Sequence, residues 1–77
     1  MTVEEIQQLV CLQLGKERVD IGDRLYEDLG AESMDLVNLA LAIEDRFAVF
    51  LSEEDLAQIK TVRNIFEIAS LKRKRST

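Results

Sequence analysis

Ser33 stands where a hydroxyl could take part in chemistry: it follows Gly30, lies between Glu32 and Asp35, and opens a run of apolar residues at helical spacing. Hydrolysis at such a serine needs a base to take the hydroxyl proton. The chain has no histidine, which removes the Ser-His dyad and the commonest zinc ligand together. Cys11 is the lone cysteine, so neither a disulfide framework nor a thiolate metal site is expected. It borders an apolar stripe and reads as a small packing residue. The acids show no complete EF-hand spacing, and no metal site is expected from them. No residue is assigned a catalytic role. Read locally, Ser33 is a helix N-cap. A hydroxyl there is also suited to modification, because an attached phosphoryl-linked group would lie against unpaired backbone N–H donors and the positive end of the helix dipole. The chemistry would come from a partner enzyme.

The elements that must position this serine are helical. Thr2 to Glu5 has the capping-box pattern, a hydroxyl and a carboxylate three residues apart, and starts a first helix. Val3, Ile6, Leu9, Val10 and Leu14 form its inward stripe, and Gly15 supplies the stop. Residues 16 to 32 hold Gly22 and Gly30, many charges and no sustained period, which predicts a long ordered loop pinned to the core by Val19, Ile21, Leu25 and Leu29; loops of this length are often functional. From Ser33 to Phe47 the helical period returns, with Leu36, Leu39, Ala40, Ile43 and Phe47 facing inward. Met34, Val37 and Leu41 fall roughly 120–180° from the middle of that stripe, given the ~3.6-residue period. They are expected to be exposed unless the loop folds back over them. Ser52 to Asp55 is a second capping signature, for a short helix through Leu56 and Ile59, and Thr61 caps a last helix carrying Val62, Ile65, Phe66 and Ala69. The expected fold is all-α: a small four-helix bundle of three longer helices and one short.

Seventy-seven residues suffice for one small core. Residues 1–71 are read as a single domain and residues 72–77 as a basic tail, a frayed helix end. Residues 1–71 hold all 15 Asp and Glu but six of the ten Lys and Arg, a net charge of −9. Such a surface argues against nucleic acid and favours basic protein partners. No stretch reaches the ~20 apolar residues of a membrane span, and the N-terminal residues lack the order of a signal peptide. A soluble, cytoplasmic monomer is expected.

The residues around Ser33 resemble one family, the acyl carrier proteins, over nearly the whole chain. The family pattern is an Asp-Leu-Gly turn, one variable residue, Asp-Ser-Leu-Asp, and a helix ending in acids before Phe. Here it reads Asp28-Leu29-Gly30, Ala31, Glu32-Ser33-Met34-Asp35, with Glu44-Asp45-Arg46-Phe47 closing the helix, and Ile59-Lys60-Thr61-Val62 is similar to the family's junction into the last helix. The resemblance implies that Ser33 accepts 4′-phosphopantetheine from coenzyme A through a Mg2+-dependent phosphopantetheinyl transferase, and that the arm's thiol then holds acyl groups as thioesters. It implies that Glu32, Asp35, Glu44 and Asp45 meet basic docking surfaces on acyl-loading, acyl-transfer or synthase enzymes, with Met34, Val37 and Leu41 as the apolar middle of the contact. Leu36, Leu39, Ile43, Ile59 and Ile65 would line a cavity for the acyl chain.

Several residues depart from the family pattern. Glu32 replaces the usual Asp, Met34 the usual Leu, and Asn38 a commonly acidic residue. Leu36 is bulkier than the small polar residue often found there, which predicts a short or atypical cargo. Phe50 reads either as an added partner anchor or as a plug in the core. These changes point to a specialised or secondary-pathway carrier, and fatty-acid synthesis stays open beside it. Fatty acyl, polyketide, aminoacyl and D-alanyl cargoes stay open, as does an adaptor that keeps the fold without the arm.

Overall fold

The structure, a computed structural model, describes residues 1–75. Its elements are four helices, α1 (Val3–Leu14), α2 (Ser33–Phe47), α3 (Glu53–Gln58) and α4 (Val62–Arg75), and no strand is present among the described residues. Each start has a local cause. Thr2 Oγ1 accepts the Glu5 N–H at 3.1 Å while Glu5 Oε1 accepts the Thr2 N–H at 2.8 Å, the reciprocal box that satisfies two otherwise orphaned donors. Ser52 and Asp55 repeat it at the start of α3, at 3.1 and 2.9 Å. At α4 an asparagine takes the acid's role: Asn64 Oδ1 accepts from Lys60 N and Thr61 N at 2.9 and 3.0 Å, and Thr61 Oγ1 accepts the Asn64 N–H at 3.2 Å.

The ends differ. Gly15 closes α1 in the left-handed region at φ 66°, where a glycine meets no Cβ penalty. Ala48 closes α2 in the same region, at φ 58° and ψ 40°, and carries that strain with a side chain. Helix α4 runs on to Arg75, so Lys72 and Arg73 belong to that helix end. The Lys72 ammonium lies 3.1 Å from Asp55 Oδ2, and the Arg73 guanidinium lies over the Phe47 ring, 5.5 Å from whose centroid Arg46 also stands, against 5.9 Å for Arg73. The tail's last two positions, 76 and 77, lie outside the described residues.

One apolar cluster holds the bundle together. It takes Ile6, Leu9 and Val10 from α1, Leu36, Leu39, Ile43 and Phe47 from α2, and Val62, Ile65 and Ala69 from α4. The loop contributes Val19, Leu25, Leu29 and Ala31, whereas Ile21 is only half-buried. Val49 and Leu51 point into the core from the α2–α3 connection and Phe50 between them points out, 69% exposed; this alternation over a short extended stretch rules out Phe50 as a core plug. Backbone bonds tie the loop to the α3–α4 junction: Leu25 N to Lys60 O at 2.9 Å, Val62 N to Asp23 O at 3.1 Å and Arg63 N to Ile21 O at 2.8 Å. Among the described residues no helix is long and apolar enough to cross a membrane.

Candidate functional site

Ser33 is exposed, as are Glu32 and Met34 beside it. It is the first residue of α2 and not its N-cap, which corrects the local sequence reading. Glu32, extended at φ −111° and ψ 170°, occupies the cap position. Its N–H donates to Asp35 Oδ2 at 2.8 Å, and its carbonyl accepts the Asp35 N–H at 3.0 Å. The reason is register: a carboxylate reaches back three residues to close a box, and Asp35 lies three from Glu32. A serine cap would need that partner at 36, which is leucine. The displacement frees the Ser33 hydroxyl, which makes no hydrogen bond with the described residues.

The turn preceding the serine is fastened from within. Arg24 donates its backbone N–H and its Nε to Asp28 Oδ2, at 2.9 and 3.2 Å, and its Nη2 to Asp28 Oδ1 at 3.1 Å. The Arg24 guanidinium, bonded to the carboxylate, holds the Asp28 carboxyl below its ordinary value. The Arg24 carbonyl accepts from Asp28 N and Leu29 N at 2.9 and 3.1 Å, and Ala31 N reaches Leu25 O at 2.9 Å. Gly30 takes φ 69° inside this turn, which an L side chain adopts only with strain. Sequence reasoning passes over Arg24, although an arginine four residues before an aspartate is a recognisable pairing signal.

Along α2 the side chains separate by face. Met34 is 65% exposed, Val37 40% and Leu41 59%, so the loop does not cover them. Glu44, Asp45 and Asn38 are exposed around them, and Asp35 is half-buried with one oxygen committed to its cap bond. Leu36, Leu39, Ile43, Ile59 and Ile65 all lie in the closed apolar cluster, none more than 7% exposed. An open cleft of about 550 Å³ lies elsewhere, between α1 and residues 17–19, lined among others by Gln7, Cys11 and Leu12 and by none of those five. Gln7 Nε2 donates to the Val19 carbonyl at 3.0 Å beside it. No cluster of acid or cysteine side chains that could hold a metal is found among the described residues.

This arrangement offers an exposed hydroxyl, with no histidine in the chain to serve as its base, at the head of a helix whose outer face carries Met34, Val37 and Leu41. A phosphate ester on Ser33 would sit at the open end of a 15-residue helix, where the first N–H groups and the dipole favour an anion. The residues present therefore fit a covalent phosphoryl-linked arm.

Comparison with known proteins agrees with the geometry. The family model for the phosphopantetheine attachment site matches residues 4–68. The chain is similar to the acyl carrier protein of Solidesulfovibrio magneticus, 32% identical over 72 residues, 91% of this chain and 92% of that protein. It is likewise similar to that of Syntrophobacter fumaroxidans, 38% identical over 65 residues, 82% of this chain and 80% of that protein. Among solved structures it resembles a putative acyl carrier protein from Mycobacterium tuberculosis, with a TM-score of 0.84 and 28% identity over 90% of this chain and 95% of that one. The acyl carrier protein from Thermotoga maritima gives a TM-score of 0.80 and 25% identity over 97% and 89%. The chain belongs to the acyl carrier protein family, whose members hold a covalent 4′-phosphopantetheine and serve as carriers for partner enzymes rather than as catalysts.

Proposed function

We propose that Ser33 is the residue that takes the arm. A phosphopantetheinyl transferase would bring coenzyme A to it: the Ser33 Oγ–P bond forms, the pyrophosphate P–O bond breaks, 3′,5′-ADP leaves, and the hydroxyl proton passes to a base on the transferase. Once attached, the arm supplies a terminal thiol that holds acyl groups as thioesters. The chain's own residues present the hydroxyl at the head of α2 and offer Met34, Val37 and Leu41, rimmed by Glu32, Glu44 and Asp45, to basic surfaces on the transferase and on synthase enzymes. Such docking is weak by design, since exposed acids are screened by salt and the carrier must leave each enzyme. The observation that carries this reading is the exposure of Ser33 at the first position of α2. Its test is intact mass spectrometry after incubation with coenzyme A and a purified transferase: the wild-type chain gains one arm and Ser33→Ala gains none. An adduct that survives Ser33→Ala moves the site elsewhere.

The cargo reading follows from the core. Leu36, Leu39, Ile43, Ile59 and Ile65 fill the space between the helices, which supports a short acyl group; the carrier itself we read as a cytoplasmic monomer. Loading the arm with acyl groups of increasing length tests it: protection of the thioester from hydrolysis should not improve with length, and steadily rising protection would mean the bundle opens to take a long chain.

A further inference from the structure

Between the last backbone anchor of the loop and the serine, the chain is held by the buried side chains of Leu29 and Ala31 and by its own turn. The backbone bonds to the α3–α4 junction come from residues 21, 23 and 25 and reach 60, 62 and 63. From Tyr26 to Ala31 the backbone bonds only to its own turn, through Arg24, Leu25 and Tyr26 carbonyls. Within residues 24–31 the side-chain hydrogen bonds come from a single pair, Arg24 and Asp28, at 2.9, 3.2 and 3.1 Å. The Asp28 carboxylate receives all three donors from one residue, and two of them are the parallel N–H groups of a guanidinium fork. A lysine offers a single point charge there and cannot reproduce the fork.

We propose that Arg24 is a positioning residue for the modification of Ser33, acting through Asp28 on the turn that sets the first residues of α2; this rests on the reading that Ser33 takes the arm. Ala31, whose N–H reaches the Leu25 carbonyl, is followed at once by Glu32, whose N–H closes the α2 cap. Loosening the 24–28 turn therefore frays the cap and shifts Ser33 Oγ relative to Met34, Val37 and Leu41, on which the transferase is held. Val37 and Leu41 lie beyond the first turn of α2, so docking persists while the hydroxyl loses its aim. Misplacement of a reacting atom by ~1 Å slows a transfer by up to ~100-fold, and release of an exposed ion pair limits the loss here to about fivefold.

The test is the steady-state kinetics of arm transfer from coenzyme A to the full chain by a purified phosphopantetheinyl transferase. Arg24→Ala should lower kcat about fivefold with KM for the carrier unchanged, Arg24→Lys should recover part of the loss, and Asp28→Asn combined with Arg24→Ala should be no worse than either alone. An unchanged kcat, a loss confined to KM, or losses that multiply in the double variant would each overturn the proposal. Should Arg24→Ala fail to fold, Arg24→Lys and Asp28→Asn decide by the same split. A wild-type chain that takes no arm overturns the Ser33 reading and this one together, whereas variants that match a modified wild type overturn this one alone.

Discussion

Leu39 and Leu41 stand two residues apart on α2 and on opposite sides of it, Leu39 1% exposed and Leu41 59%. At about 100° per residue the two side chains are about 200° apart, so one α2 turn serves the core and the surface proposed for partners at once. The same substitution should have opposite consequences. Leu39→Ala removes a close-packed side chain and should cost about 2–5 kcal/mol, a large share of the stability of so small a domain. Leu41→Ala should change stability by less than about 0.5 kcal/mol and should instead weaken docking. Urea unfolding followed by helical circular dichroism, beside the KM for arm transfer, separates them; equal losses of stability would mean that α2 is rotated.

Ala48 holds φ 58° at the end of α2, with its N–H bonded to Glu44 O at 2.9 Å and its side chain exposed. Glycine would take this conformation without strain, at the expense of more freedom in the unfolded chain. Ala48→Gly should therefore stabilise the protein by about 0.5–1 kcal/mol. The thermal midpoint should rise by about 2–8 °C. A fall would show that the alanine side chain packs.

Among the described residues three carboxyls have lowered pKa values. At Glu5 the foremost cause is the Thr2 N–H, and at Asp28 the Arg24 guanidinium. At Asp55 burial acts upward and is overcome by the Ser52 N–H and the Lys72 ammonium. A carboxyl whose folded pKa lies below its unfolded value adds stability that is complete above about pH 4–5 and is lost as pH falls through the folded value. Melting temperature should therefore decline on acidification below about pH 4.5. Asp55→Asn, which keeps an acceptor for Ser52 but loses the pair with Lys72, should decline less steeply. A parallel decline would remove Asp55 from the account.

Residues 20–55 hold 11 acids against Arg24 and Arg46. Repulsion among them falls with added salt, and the exposed ion pairs that salt also weakens are worth about 1 kcal/mol or less each. Melting temperature should therefore rise from low salt to about 0.3 M, where the screening length is well under 10 Å. A fall would mean that pairs such as Lys72–Asp55 outweigh the crowding.

Much of this fold can be read along the chain, because its helix starts are local. Thr2 with Glu5, Ser52 with Asp55 and Thr61 at the head of α4 bring their own partners, and spacings of three and four sort Leu36, Leu39 and Ile43 from Val37 and Leu41. The cap of α2 is harder: Ser33 is the better capping residue by type, yet Asp35 is in register with Glu32, and the reciprocal bond decides. The loop resists for a different reason. That Leu25 meets Lys60, that Ala31 is buried and that Val49 and Leu51 turn inward around Phe50 depend on residues distant in sequence, which periodicity does not reach. Arg24 and Asp28 are near neighbours, but their value lies in what the turn between them holds still.

Helix α3 is six residues long and buries none of them fully; Leu56 only rests against the core. It is pinned at its front by Ser52 and by the clasp of Asp55 with Lys72. The hydrophobic interior thus has one thin panel in an otherwise thick wall. Of all the elements, this panel can swing aside with the least loss of contact, and its amide protons should exchange with solvent before those of α1, α2 or α4.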